Sequence, residues 1–224
     1  MKINPCKNNV GAIIDTDLKN FTKETIGLIK DSVNEYGVIF LKNQKLAPRD
    51  YINFAKQFGQ LADYPMLKGL ENFPEITVVE KKPGEKIMFG EGWHTDSTYT
   101  KKPPMLTMLY SVKTPPKGKG NTRFASQYLS YENLDEEYKN KIKDLKAEFS
   151  ADGPISKTRN NRTAEKGTGI DPKSLKAEHN IVRLNKINGK KSLYLSPGHV
   201  TKIIGVNLKE SSEILDYLFK HQIK

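Results

Sequence analysis

Ile26, Ile29, Val33 and Tyr36 recur at helical spacing, between a Thr22 that can serve as N-cap and a Gly37 that can end the helix. The apolar run Val38-Ile39-Phe40-Leu41 follows at once and reads as a buried strand. Pro48 suits the first turn of a second helix, which stops at Gly59. Ile76-Thr77-Val78-Val79 and the run from Met105 to Val112 read as strands. A third helix is predicted from Tyr131 to Lys146, with Leu134, Tyr138, Ile142 and Leu145 along one face. Near the end, Asn207-Leu208-Lys209-Glu210 resembles a capping box ahead of Ile214, Leu215 and Leu218. These stripes read as core. The segment from Ala151 to Ala177 breaks the pattern, being polar and loop-like through Asp152-Gly153-Pro154, Asn160-Asn161 and Gly167-Thr168-Gly169. Long structureless segments inside a domain are often lids or disordered. With neither an internal repeat nor a linker in view, residues 1–224 read as one mixed α and β domain.

Composition sets bounds on that picture. A chain of 224 residues, 36% hydrophobic, can bury one sizeable core. No apolar run approaches the roughly 18 residues of a membrane span, so no membrane partner is expected. Met1-Lys2-Ile3-Asn4-Pro5-Cys6 has no apolar h-region and shows no secretory signal. The single cysteine, Cys6, excludes an internal disulfide and a Cys-rich metal site, and a reducing cytoplasm is the default location. The net charge of +11 admits attraction to nucleic acid or to small anions. Against nucleic acid, only five of the 37 basic residues are arginine, and the lysines are spread along the whole chain. Gly118-Lys119-Gly120-Asn121-Thr122 looks phosphate-binding but lacks the P-loop pattern, and no zinc-finger or RRM pattern is present. The expected partners are a small-molecule substrate and, among macromolecules, at most a second copy of the chain.

The candidate chemistry lies in Trp93-His94-Thr95-Asp96-Ser97-Thr98-Tyr99. Aromatic and β-branched neighbours favour an extended strand, in which residues i and i+2 share a face. His94 and Asp96 would then aim an imidazole nitrogen and a carboxylate oxygen at one point. That is two-thirds of the facial triad of two histidines and one carboxylate that holds non-haem Fe(II) with open positions. The plainer alternative is an exposed polar strand face.

Phe58-Gly59-Gln60-Leu61 precedes this segment, and Pro103-Pro104-Met105, Leu109-Tyr110-Ser111-Val112, Thr114-Pro115-Pro116 and Gly120-Asn121-Thr122-Arg123-Phe124-Ala125 follow it. In order and approximate spacing these blocks resemble the taurine dioxygenase / chlorophenoxyacetate dioxygenase (TauD/TfdA) family, from about Gly37 to the last residue. The resemblance implies a mainly β fold with flanking helices (α+β), a double-stranded β-helix or jelly roll. It implies Fe(II) as metal, 2-oxoglutarate as co-substrate and dioxygen. The co-substrate is decarboxylated to succinate while a small organic, anionic substrate is hydroxylated.

Residue by residue, the resemblance makes His94 and Asp96 the first two iron ligands. Thr122 matches the threonine that bonds the distal 2-oxoglutarate carboxylate, with Asn121 where the family often has Asp. Tyr194 matches an aromatic near the substrate. Tyr64 and Gly90 stand where the taurine branch has a substrate-contacting histidine and an asparagine, which argues against taurine itself as substrate. The segment 151–177 falls where the family carries a mobile lid over the active site.

One part of the pattern has no counterpart here. The family's second histidine ligand, in a W-D-N-R-x-x-x-H block, and the arginine that clamps 2-oxoglutarate are not matched by His179, His199, His221 or Arg183. The expectation is therefore a C-terminally incomplete jelly roll lacking its last strands, inactive as a 224-residue chain. The alternatives are a short, catalytically silent relative acting as a binding or structural module and, more weakly, a lysine-rich nucleic-acid binder.

Overall fold

The computed structural model describes residues 2–159 and 165–224. Asn160 and Asn161, read above as loop markers, lie outside the described residues. The chain divides into two compact units. The first comprises Met1–Leu61, Leu106–Ser126 and Lys186–Gly189, the second Ala62–Met105, Gln127–Asn185 and Lys190–Lys224.

In the first unit, β1 (Lys2–Pro5), β2 (Ala12–Asp15), α1 (Lys23–Tyr36), β3 (Ile39–Leu41) and α2 (Pro48–Ala55) follow one another. The sheet order is β1-β2-β3, with β1 antiparallel and β3 parallel to β2. Parallel pairing needs a long crossover, and α1 supplies it. Its ends are those the sequence predicts. Thr22 Oγ1 accepts from the Thr25 amide at 3.2 Å, and Gly37, at φ 75°, donates to Val33 O at 2.9 Å. Ile26 and Ile29 bury their side chains with Ile14, Leu18 and Phe54. Pro48 opens α2, and a short 3₁₀ turn carries the chain to Gly59.

The second unit holds α3 (Gln127–Glu132), α4 (Glu136–Ile142), β4 (Lys146–Ser150), β5 (Lys176–Asn180), β6 (Val182–Leu184), β7 (Lys191–Leu193), β8 (Val200–Ile203) and α5 (Leu208–His221). An antiparallel sheet runs β5-β4-β8, and β6 and β7 pair as a hairpin. Asn207 Oδ1 accepts from the Glu210 amide at 2.9 Å and caps α5. The Ile214, Leu215 and Leu218 face of α5 then packs on Phe149, Leu193 and Ile203 in the largest apolar cluster. Each such side chain contributes about 1.5–3 kcal/mol by leaving water.

Four expectations are corrected. The helix predicted over Tyr131–Lys146 is two short helices and a strand entry, because Asp135 turns extended (φ −61°, ψ 147°) at the boundary before α4 without a side-chain capping bond. Leu134 and Ile142 still reach one core. Residues 76–79 and 105–112 lie outside the strands, with bends at Met105 and Val112 and Ile76 bonded into a turn with Phe73 and Leu70. Partly for that reason the described residues are mixed helix and strand rather than mainly β. The segment 151–177 is also not wholly irregular: it contains 3₁₀ turns at Pro154–Thr158 and Pro172–Ser174, and β5 begins inside it. Among the described residues no helix is long and apolar enough to cross a membrane.

Candidate metal centre

His94 and Asp96 belong to the second unit, but not to a strand. Gly90 (φ 72°) and Gly92 (φ 111°) bend the chain before them, and residues 96–99 form a turn with Ser97 at φ 52°. The Thr100 amide closes it on Ser97 O at 3.0 Å. The two side chains converge nonetheless, with His94 Nε2 3.3 Å from Asp96 Oδ1. A turn has brought together what strand alternation was expected to align.

The rest of the histidine ring is fixed as well. His94 Nδ1 lies 2.9 Å from Gly92 O. A carbonyl can only accept, so Nδ1 carries a proton, and Nε2 is left to face the carboxylate. That is the arrangement in which ligating histidines are usually held, one nitrogen on a backbone carbonyl and the other on the metal. Gly90 backs the ring so closely that a Cβ there would sit 3.3 Å from His94 Cε1. The His94 pKa is raised, first by the hydrogen bond to Asp96, against the burial that lowers it. A carboxylate oxygen and an imidazole nitrogen at this spacing suit a divalent first-row cation, which would displace the shared proton.

These groups line a cleft of about 40 Å³, together with Tyr64, Phe89, Gly90, Ser97, Tyr99, Ile155, Thr158, Arg159 and His199. That volume takes an ion with a water or two, well below the roughly 300 Å³ at which ordinary small-molecule sites begin. Arg159 is 4% exposed; its guanidinium donates to Tyr64 Oη at 3.3 Å and to Ala151 O. Tyr99 is buried beside it, and burial first, then Tyr64, raises its phenol pKa. His199 is pushed down to about 4, first by burial and then by the charges of His94 and Arg159.

Of the residues singled out in the sequence, His94, Asp96, Tyr64 and Gly90 meet at this cleft. Tyr194 lies elsewhere than expected: it is not among the cleft's lining residues, and its ring packs on Phe149 and His179 under the Arg183 guanidinium. Thr122 belongs to the first unit, where it is exposed and outside regular secondary structure. Arg159 was not singled out, Tyr99 was named only as the end of the His94 stretch, and His199 only as a histidine that does not match the missing ligand; the turn-forming Ser196-Pro197-Gly198 before His199 hints at its special position. Among the described residues no group of three or more His, Cys, Asp or Glu side chains could hold a metal ion. His179, His199 and His221 each have a ring nitrogen on a backbone carbonyl instead.

The family model described as "Taurine catabolism dioxygenase TauD, TfdA family" matches residues 2–224. The chain belongs to the TauD/TfdA family. The match also takes in the residues before Gly37, where the motif resemblance was not visible. Relatives include an alpha-ketoglutarate-dependent sulfonate dioxygenase of Saccharomyces cerevisiae, 27% identical over 91% of this chain and 50% of its own length. Another is an alpha-ketoglutarate-dependent sulfate ester dioxygenase of Pseudomonas putida, 25% identical over 99% of this chain and 74% of its own. The chain thus spans about half the length of the yeast relative.

Solved structures with the same fold include a taurine dioxygenase from Burkholderia xenovorans, with TM-score 0.78 and 23% identity over 100% of this chain and 72% of that one. A second is AAD-2 in complex with Mn(II) and N-oxalylglycine, with TM-score 0.76 and 23% identity over 100% and 80%. The alpha-ketoglutarate-dependent dioxygenases of the TauD/TfdA family use Fe(II), 2-oxoglutarate and dioxygen, and N-oxalylglycine is an analogue of 2-oxoglutarate.

Proposed function

We propose that this chain carries the metal-binding cleft of an Fe(II)- and 2-oxoglutarate-dependent dioxygenase acting on a small organic anion of the sulfonate or sulfate-ester class. The observation that carries the reading is His94, with Nδ1 tied to Gly92 O and Nε2 3.3 Å from Asp96 Oδ1. In this reading His94 and Asp96 hold Fe(II), which supplies dioxygen activation when bound. Arg159 and Tyr64 face the substrate's acidic group. Thr122 bonds the distal carboxylate of 2-oxoglutarate, and Tyr194 acts on the site through its packing. The segment 151–177 serves as lid, supported by Ile155, Thr158 and Arg159 in the cleft wall. The double-stranded β-helix is taken as the fold, supported by the TM-scores to TauD/TfdA structures.

A second reading is favoured by the two-donor site and the small cleft: the 224-residue chain binds a metal but does not turn over. Mn(II) titration followed by electron paramagnetic resonance, with succinate release measured in parallel, tests both. Under the proposal, His94→Ala and Asp96→Ala each weaken Mn(II) binding at least tenfold. Under the second reading two donors alone hold iron too poorly for turnover, and the chain releases no succinate from 2-oxoglutarate. Binding that survives either substitution overturns the metal assignment, and succinate release overturns the silent reading.

A further inference from the structure

The turn that carries Asp96 has no ladder partner, yet its carbonyls are engaged from two sides within the second unit. On one side stands His179 of β5. Its Nε2 lies 2.9 Å from Thr98 O and 3.0 Å from Thr100 O. Both partners can only accept, so Nε2 bears the proton and donates to both. The rings of Phe149 and Tyr194, each with its centroid 5.3 Å away and edge-on, hold the imidazole in that plane.

On the other side stands the Ser196–His199 turn, closed by the His199 amide on Ser196 O at 2.9 Å. His199 Nδ1 lies 3.1 Å from Thr95 O and 2.9 Å from Thr98 Oγ1. Ser196 Oγ accepts from the Thr95 amide at 3.0 Å. The same turn touches the candidate ligand directly: a Cβ on Gly198 would stand 3.2 Å from His94 Cβ.

We propose that His179 and His199 are positioning residues that clamp residues 95–100 from opposite sides and so hold His94 Nε2 and Asp96 Oδ1 in converging geometry. The proposal rests on the reading of those two groups as metal donors. Two donors on an irregular turn would otherwise sample many separations, and a site loose by about an ångström loses much of its affinity and rate. The clamp also gives Tyr194 its role, as a wall for His179.

The test is residue-resolved amide hydrogen exchange on the metal-free chain, with Mn(II) affinity as a second readout. His179→Leu and His199→Phe remove the donors while filling space. His179→Gln and His199→Asn restore an N–H near the lost Nε2 and Nδ1. Under the clamp, Leu and Phe raise exchange at the Thr95 and Thr100 amides at least tenfold and weaken Mn(II) binding by a similar factor. Gln and Asn bring both to within about threefold of the parent. The Ile181 and Ile204 amides, bonded to Leu145 O and Lys146 O in the same unit, serve as reference and stay unchanged. Equal acceleration at the reference amides overturns the proposal, as does a Gln variant that behaves like Leu. If the parent binds no Mn(II), the metal reading falls, while the exchange pattern still decides the clamp.

Discussion

At the scale of single residues, the two histidines nearest the cleft are driven in opposite directions by their surroundings. Asp96 raises the His94 pKa, whereas burial and neighbouring charges lower that of His199 to about 4. Between pH 6.5 and 4 the unfolded chain therefore binds a proton at His199 that the folded chain refuses, and stability falls as pH falls through that window. A displacement of this size corresponds to about 3 kcal/mol once pH is below 4. His94 works the other way: its contribution is complete below pH 6.5 and fades as pH rises through its raised value. Urea unfolding at pH 7, 5.5 and 4, comparing parent with His199→Asn, isolates the first effect. The Asn variant is expected to lose less stability on acidification, and parallel curves would contradict the assignment.

At the scale of elements, caps and stripes set the structure where they are strong. Asn207→Ala removes the side-chain acceptor of α5 and should cost about 1 kcal/mol. Leu218→Ala opens a hole in the fully buried face of the same helix and should cost about 2–5 kcal/mol. Thermal unfolding of both variants checks that order, and a larger loss for Asn207→Ala would refute it. These features were legible in advance because they are local: Thr22, Gly37, Pro48 and Asn207 act within a turn of their own helices.

The errors share a cause in partners far along the chain. Residues 76–79 and 105–112 have strand composition, but a ladder needs a second chain segment that composition does not reveal. Trp93–Tyr99 reads as a strand until the glycines at 90 and 92 and the contact with Ser196, 101 residues away, are known. The convergence of His94 and Asp96 was expected for a reason the fold does not use. The place of Arg159 and His199 in the cleft became visible only when the chain folded back on itself.

At the scale of the whole molecule, the chain is basic, with a net charge of +11, and among the described residues several large apolar side chains are exposed. Leu109 is 83% and Val112 89% exposed, in a segment whose backbone joins no sheet. Extended apolar segments with unpaired backbone invite pairing with another chain. Sedimentation velocity across a tenfold range of concentration should show association of the parent that the Leu109→Lys, Val112→Lys double variant suppresses. The melting temperature should shift by no more than about 2 °C, as for surface changes. Association that persists unchanged in the double variant would place the sticky surface elsewhere.

The first unit is also assembled from three separated stretches of chain, the last being Lys186–Gly189, where Asn188 Nδ2 bonds Asn34 O at 2.9 Å across 154 residues. During synthesis the chain emerges at about 5–20 residues per second. The amino-terminal sheet therefore emerges with its own buried cluster of Ile14, Leu18, Ile26, Ile29 and Phe54, while the last stretch of the unit arrives on the order of ten seconds later. Over that interval the sheet and α1 can hold together on contacts made within the first 58 residues, and the Asn188–Asn34 bond closes the unit last.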